Sequence, residues 1–337
     1  MGAGPRRPGD PGEDPIMGAD DNRRFHPSLY PMTATSSLDG IAPLAHWGVI
    51  RARGADAASF LHGQLTSDVT GLGAGQARLA GYCSAKGRLL ASFVLWQAAP
   101  DEILLACSAD LLAPTLKRLA MFVLRAKCVL SDATAEVALQ GLAGPSARAW
   151  LGPAAPAAAW QRSAHGGGSV VRLPDADGHE RYLWAAPAGT ALPPLPPLSA
   201  DAWRAGEVAS AVPRIEAATV DKFVPQMVNL ELVGGVDFQK GCYPGQEIVA
   251  RSQYRGTIKR RGFLFEAEAD ASAGQEIFHS ADPGQPAGQV ANAAGSAVFA
   301  EVKLAALEGG TLHLGGPGGA MLHRQPMPYA VDVDVTA

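Results

Sequence analysis

The sequence predicts an α+β protein, and three observations carry that expectation. Strand-like and helix-like stretches mix over the first 258 residues without a repeating strand–helix–strand rhythm. A hairpin pattern over 77–97 precedes an amphipathic helical pattern over 111–127. From 259 to 337 the character changes to short Val, Ala and Phe runs between glycines, which fits a small β-barrel or sandwich. The chain is thereby expected to divide into a tail at 1–36, a main region at 37–258 and a C-terminal unit at 259–337.

Taken in order, residues 1–36 read as a disordered tail. Pro5, Pro8, Pro11 and Pro15 alternate with glycine and both signs of charge, and no apolar period is present to offset the entropy of ordering. Asp10, Glu13, Asp14, Asp20 and Asp21 argue against an organelle transit peptide. Trp47, Val49 and Arg51 alternate with Gly48 and Ile50 as a short strand. Asp56 occupies an N-cap position before Phe60, Leu61 and Leu65, which share a helical face. Leu79–Cys83 and Leu89–Trp96 are the arms of the hairpin around Ala85-Lys86-Gly87, and Glu102–Cys107 is the next strand. Apolar residues at 112, 116, 119, 122 and 123 predict a helix over Leu111–Lys127. Val137–Leu142 reads as a strand and Ser146–Leu151 as a short helix. Residues 152–168 and 187–198 read as connectors, the second stiffened by Pro193, Pro194, Pro196 and Pro197. Ser199 caps a helix running to about Ala209. Asp332 and Asp334, alternating with Val331, Val333 and Val335, read as the solvent face of a last strand.

Composition narrows the function. A chain of 337 residues suggests about two or three domains. A net charge of −4 disfavours a broad duplex-DNA-binding surface. The four cysteines, at 83, 107, 128 and 242, contain no CxxC pair, so a disulfide framework is not expected and a reducing compartment, the cytoplasm, is. No uncharged apolar run approaches the ~18 residues of a membrane span. The eight histidines lack metal-ligand spacing and read as structural or surface residues, so no metal is expected. Gly71-Leu72-Gly73-Ala74-Gly75 lacks the Gly-Lys-Ser/Thr ending of a phosphate loop and reads as a turn. Arg251, Arg255, Lys259, Arg260 and Arg261 form a basic cluster, either a solvated face or a contact for an anion or RNA.

The informative segment is Lys240-Gly241-Cys242-Tyr243-Pro244-Gly245-Gln246-Glu247. Gly241 and Gly245 permit positive φ and close backbone approach, and Pro244 stiffens the loop between them. The apolar run from Ile248 places Gln246 and Glu247 at the start of a helix or strand. Beside Lys240, and near Arg251 in sequence, Cys242 is in a plausible setting for a lowered thiol pKa and a nucleophilic thiolate. Cys83, Cys107 and Cys128 lie in apolar patterns and read as small buried residues.

This segment resembles the signature of the YgfZ family of folate-binding proteins, a Lys-Gly-Cys-aromatic-x-Gly-Gln-Glu block. The resemblance extends over about residues 38–337. It includes Gly63-Gln64-Leu65-Thr66-Ser67-Asp68-Val69, the turn Lys86-Gly87-Arg88, Phe223-Val224-Pro225-Gln226-Met227-Val228-Asn229-Leu230 and Pro326-Met327-Pro328-Tyr329. It implies an aminomethyltransferase-like folate-binding fold over 37–258 followed by a C-terminal β-barrel. It also implies a bound tetrahydrofolate or related folate and contacts from the matching tryptophans, Trp47 and Trp203. Where the family has an Ile-Glu-Ala-Gly-Phe-Pro-like stretch, this chain reads Val208-Ala209-Ser210-Ala211-Val212-Pro213, without its Glu and Gly. An indole is a suitable stacking partner for a flat pterin, although from the residues alone either tryptophan could equally fill the core.

Two functions follow from the resemblance. One is a folate-binding accessory protein that supports assembly or repair of iron–sulfur clusters in client proteins, including radical tRNA-modifying enzymes, with Cys242 as the reactive residue. The alternative is a tetrahydrofolate-dependent aminomethyltransferase-like enzyme. Family members performing that transfer carry an acidic pair that aligns with Ala91 and Ser92, and neither supplies a carboxylate for proton transfer. The missing acids and the Cys242 block favour the accessory role. Direct tRNA contact through the basic cluster is a weaker expectation.

Overall fold

The structure, a computed structural model, describes residues 1–2, 38–254 and 258–331. The expected N-terminal tail, Arg255 of the basic cluster and the Asp332–Val335 alternation lie outside the described residues. The elements in chain order are β1 (Gly40–Pro43), β2 (Trp47–Arg53), α1 (Ala57–His62), β3 (Ala77–Cys83), β4 (Leu89–Ala99), β5 (Glu102–Ser108), α2 (Ala109–Ala120), β6 (Val129–Asp132), β7 (Val137–Ala143) and α3 (Gly144–Leu151). They continue with β8 (Arg162–His165), β9 (Gly168–Ala176), β10 (His179–Pro187), α4 (Ala200–Ala209), α5 (Gln246–Tyr254), β11 (Arg260–Ala267), β12 (Glu276–His279), β13 (Asp282–Ala294), β14 (Ala297–Lys303), β15 (Leu312–Leu314) and β16 (Met321–Arg324).

One antiparallel sheet has the order β1-β7-β10-β9-β8, a second β3-β4-β5-β2-β6, and β11-β14-β13-β12-β15-β16 closes into a barrel. The mixed helix and strand content is the α+β class that the sequence predicts. The main core lies between the two open sheets: Leu79, Val94 and Trp96 of one meet Leu139, Val171 and Leu183 of the other, with Trp203 and Val208 of α4. The opposite face of the second sheet packs on α1 and α2 through Ile50, Phe93, Leu61 and Leu119. Strands β4 and β5 are therefore covered on both faces, which explains their nearly unbroken apolar runs. Helix α3 covers the far side of the first sheet through Ala147 and Leu151. No described helix is long and apolar enough to cross a membrane.

Local chemistry explains where the expected elements start and stop. The hairpin over 77–97 turns at Gly87, whose φ is +69°, with Gly87 N–H donating to Ser84 O at 2.9 Å. Ser199 caps α4 by accepting from Ala202 N–H at 3.1 Å. Asp56 precedes α1, yet its carboxylate accepts from Lys127 N–H at 2.7 Å and gives α1 no side-chain cap. That bond pins the chain after α2 back to residue 56. The helix expected over 111–127 accordingly stops at Ala120, and Phe122 and Leu124 are exposed.

Two further differences have physical causes. The stretch 162–187 forms three strands, β8 to β10, around the Gly166-Gly167 turn. Arg172 and Arg181 interrupt its apolar pattern but are buried, Arg172 pairing with Glu180 at 2.8 Å. The stretch Pro225–Leu230 is a structural clasp. Gln226 donates to Val249 O of α5 at 2.9 Å and Asn229 to Gly262 O of β11 at 2.8 Å, both from buried side chains.

Candidate functional site

Two side-chain clusters hold the residues that the sequence singles out. Both are carried by the β3–β4 hairpin. Ser92 faces a cavity between the sheets, while the hairpin turn at Gly87 supports the Cys242 loop. The strand between those positions spans roughly 16 Å.

The cavity is lined by Trp47 of β2, Ser92 and Val94 of β4, Arg181 of β10, Glu207 of α4 and Arg214. Its volume is about 40 Å³, and it opens to solvent on one side. Glu207 organises the polar side. Trp47 Nε1 and Trp203 Nε1 each donate to Glu207 Oε1 at 2.8 Å. His46 Nε2 lies 2.9 Å from Oε2, and Arg214 Nη2 3.8 Å from the same atom. Burial alone would raise the Glu207 pKa. The hydrogen bonds of His46 and Trp47 and the Arg214 charge overcome burial and hold the carboxyl at about 2.

The two tryptophans therefore meet on one oxygen in different settings. Trp47 is half-buried at the cavity wall, with the Arg214 guanidinium 5.7 Å from its ring centre. Trp203 is fully buried. A Cβ on Gly141 would come within 2.5 Å of its ring, and the Arg181 guanidinium lies 5.4 Å from the ring centre. Trp203 has no free surface here and reaches the cavity through its bond to Glu207. Arg181 is buried, its pKa lowered by burial to about 10, and it donates through Nε and Nη2 to Pro174 O. Its Nη1 is buried without a partner.

Ala91 and Ser92 occupy opposite faces of β4. Ala91 lies in the core under α1 and α2, and the Ser92 hydroxyl accepts from Ile215 N–H at 3.0 Å. Ala211 takes the place of the glycine in the family's stretch before Pro213, and its φ is +50°. That conformation is one a glycine adopts at less cost.

The second cluster is the Cys242 loop. Gly245 has φ +79°, and a Cβ there would lie 2.4 Å from Ser84 O and 2.6 Å from Gly87 Cα. The loop thus docks by backbone contact on the Lys86-Gly87-Arg88 turn, a juxtaposition of two sequence motifs that only glycines permit. Gly245 O then accepts from Ile248 and Val249 N–H as α5 begins at Gln246. Tyr243 is buried, and its hydroxyl pKa is raised by that burial.

Cys242 is exposed, whereas Cys83, Cys107 and Cys128 are buried. Burial pushes the Cys83 and Cys107 thiols up to about 12 and raises that of Cys128. Lys240 Nζ donates to His62 O at 2.6 Å, Leu65 O at 3.0 Å and Gly241 O at 3.2 Å, and lies 4.8 Å from the centre of the Tyr243 ring. The ammonium therefore satisfies carbonyls at the end of α1, which ties the loop down in addition to placing a charge near the thiol. Burial lowers the Lys240 pKa, against the charges of Asp237, Asp68 and Cys242.

Arg251 pairs with Glu247 one helical turn away at 2.9 Å, both exposed. Arg260 pairs with Glu301 at 2.6 Å, and buried Arg261 pairs with Glu231. Among the described residues the basic cluster is thus largely neutralised, and the expected anion-binding face is reduced to exposed Lys259. No group of three or more His, Cys, Asp or Glu among the described residues is placed to hold a metal ion.

His46, Glu207 and Arg214 were not legible as site residues. They stand far apart in sequence, and no motif links them.

Comparison with known proteins agrees with this architecture. The family model of the GCVT N-terminal domain matches residues 32–173. The crystal structure of the glycine cleavage system aminomethyltransferase T from Bartonella henselae superposes with a TM-score of 0.67 at 18% identity, covering 84% of each chain. That likeness establishes the fold. The tRNA-modifying protein YgfZ of Edwardsiella ictaluri is 36% identical over 67% of this chain and 71% of its own. The YgfZ protein of Vibrio vulnificus is 30% identical over 90% of this chain and 94% of its own. With that identity over two thirds or more of both chains, on an aminomethyltransferase-type fold, the chain belongs to the YgfZ family.

Proposed function

We propose that this protein binds a reduced folate in the Trp47–Glu207 cavity and supports the assembly or repair of iron–sulfur clusters in client proteins, including radical tRNA-modifying enzymes, with Cys242 as its reactive residue. The observation that carries the reading is the contrast among the thiols: Cys242 alone of the four is exposed, in a loop anchored by Lys240, Gly241 and Gly245.

The chemistry of the cavity fits a folate. The Trp47 ring offers a stacking face to a pterin. Glu207 is an ionised acceptor suited to the pterin's N–H groups, and the orphaned Arg181 Nη1 is a donor suited to its carbonyl oxygen. Folate, when bound, would supply one-carbon chemistry. The chain's own residues would hold and orient it.

The accessory role is favoured over aminomethyl transfer by the proton chemistry. Ala91 and Ser92 supply no carboxylate where transferring enzymes have one. Glu207 is held ionised by three N–H donors and Arg214, so it is poorly suited to shuttling protons.

The test is complementation in a strain lacking this protein, with the level of a nucleoside made by an iron–sulfur tRNA-modifying enzyme as the readout. The wild-type chain should restore that level and Cys242→Ala should not. Full restoration by Cys242→Ala would overturn the role given to the thiol.

A further inference from the structure

We infer that a cleft beyond Trp96 on β4 binds a second small molecule, an organic oxyanion (a carboxylate or a phosphate monoester) held by Arg162 and Ser169. This site is separate from the Trp47–Glu207 cavity and stands whether or not that cavity holds folate.

The cleft lies between the two open sheets. Strand β4 turns alternate residues towards the intersheet space. Ser92 and Val94 line the Trp47–Glu207 cavity, and Trp96 and Ala98 line the cleft. The cleft holds about 680 Å³, within the roughly 300–1,000 Å³ of small-molecule sites. Leu104, Val137, Ala186 and Pro187 give it an apolar wall for the body of a ligand.

Arg162, at the start of β8, is the charge left over. The carboxylates of the cleft, Glu102 and Glu136, both pair with Arg51, at 3.3 and 2.6 Å, and Glu102 also meets Arg53 at 3.5 Å. Arg162 has no carboxylate partner among the described residues. Its Nε and Nη2 donate to Ser169 Oγ at 3.1 and 2.8 Å, and its Nη1 to Ala74 O at 2.7 Å. A guanidinium has more N–H donors than those bonds use. Burial lowers the Arg162 pKa, and no neighbouring carboxylate offsets it. A half-buried cation is ordinarily paired, so the group that suits this position is an anion.

The neighbouring polar groups call for the same ligand. Ser169 Oγ accepts from Arg162, and its own hydrogen has no acceptor among the described residues. Trp96 is fully buried against the cleft, and its Nε1–H has no partner among the described residues. The backbone brings Trp96 and Arg162 to one corner. Ala77, paired with Trp96 across β3 and β4, donates its N–H to Trp160 O at 2.8 Å, and Arg162 N–H donates to Gly75 O at 2.9 Å. A guanidinium, a hydroxyl and an indole that all have a hydrogen to give select an oxyanion over a cation or a hydrocarbon.

The test is an NMR titration of the full chain carrying ¹⁵N-labelled tryptophan, with the Trp96 indole N–H assigned by its loss in Trp96→Phe. The probes are phenyl phosphate, benzoate and, as the uncharged control, phenol. Both anions should shift the Trp96 resonance saturably, and phenol should not. The tighter of the two anions tells a phosphate ligand from a carboxylate. Arg162→Met keeps the stem and removes the charge, and should weaken both anions about tenfold or more. Because Arg162 also ties down Ala74 and Ser169, thermal melts report whether this variant folds. Ser169→Ala is the milder change and should weaken the anions about threefold. Saturating tetrahydrofolate should leave the titration unaltered. Shifts that fail to saturate, that phenol reproduces, or that keep full affinity in Ser169→Ala and in folded Arg162→Met would overturn the inference. Displacement of the probes by tetrahydrofolate would also overturn it, since the two cavities would then be one site.

Discussion

Replacing Glu207 by Gln should remove a defined, pH-dependent part of the stability. In the folded protein the carboxyl is held at about 2, against an ordinary 4.5. A pKa depressed by folding adds stability that is complete above the unfolded value and is lost as pH falls through the folded one. The difference corresponds to about 3 kcal/mol, present at pH 7 and disappearing between about pH 4.5 and 2. Gln cannot substitute. Trp47, Trp203, His46 and Arg214 all present N–H donors to this position, and an amide would turn its own NH₂ against some of them. Urea unfolding followed by tryptophan fluorescence, for both proteins across pH 3 to 7, measures the effect. Glu207→Gln should be less stable by about 3 kcal/mol at pH 7, with the gap closing towards pH 3. A gap that stays constant with pH, or is absent, would refute the claim that four donors hold an ionised carboxylate.

Other consequences follow from the same contacts. Gly245→Ala should destabilise the docked loop by about 2–4 kcal/mol, combining a positive φ with a clash against the backbone of Ser84 and Gly87. Faster hydrogen exchange at the Ile248 and Val249 amides would report the undocking, and unchanged protection would refute it. Trp47→Ala should weaken tetrahydrofolate binding by about 1–3 kcal/mol, the scale of a lost stacking face, as read by fluorescence titration. Trp203→Phe keeps a ring in the core and loses one bond to Glu207, so it should cost about 1 kcal/mol of stability and less affinity than Trp47→Ala; the reverse ranking would place the ligand elsewhere. With a lipoyl carrier protein and tetrahydrofolate, aminomethyl transfer should be negligible, since a positioned carboxylate is worth roughly 10²–10⁴-fold in such a step. Turnover comparable to that of a dedicated aminomethyltransferase would restore the enzyme alternative.

The hairpin around Lys86-Gly87, the cap at Ser199 and the barrel pattern after 259 were legible because each rests on local chemistry: a turn glycine, a hydroxyl at a helix start, short apolar runs. The Lys240–Glu247 block was legible as a unit for the same reason. What the block touches was not. Gly245 meets Gly87, and Lys240 reaches the carbonyls that close α1, across more than 150 residues of chain. The Glu207 cluster draws on His46 and Trp47 at the start of β2, on α4 and on Arg214, and no pattern in one segment encodes it. Strands β9 and β10 were hidden because Arg172 and Arg181 break their apolar alternation, and the contacts that make those charges tolerable appear only on folding. The glutamate absent from the Val208–Pro213 stretch drew attention to a loss, while the carboxylate of the site sits just upstream at Glu207.

The most direct measurement of the central claim uses purified components. A radical tRNA-modifying enzyme whose iron–sulfur cluster has been damaged by oxygen is incubated with iron, a sulfide source, a thiol reductant and tetrahydrofolate. To this is added the wild-type protein, Cys242→Ala or Trp47→Ala. Cluster absorbance and modified nucleoside are followed together. The account predicts that wild type speeds recovery of both, that Cys242→Ala gives no more than the background without protein, and that Trp47→Ala loses the part of the effect that depends on folate. Equal recovery with wild type and Cys242→Ala would contradict it.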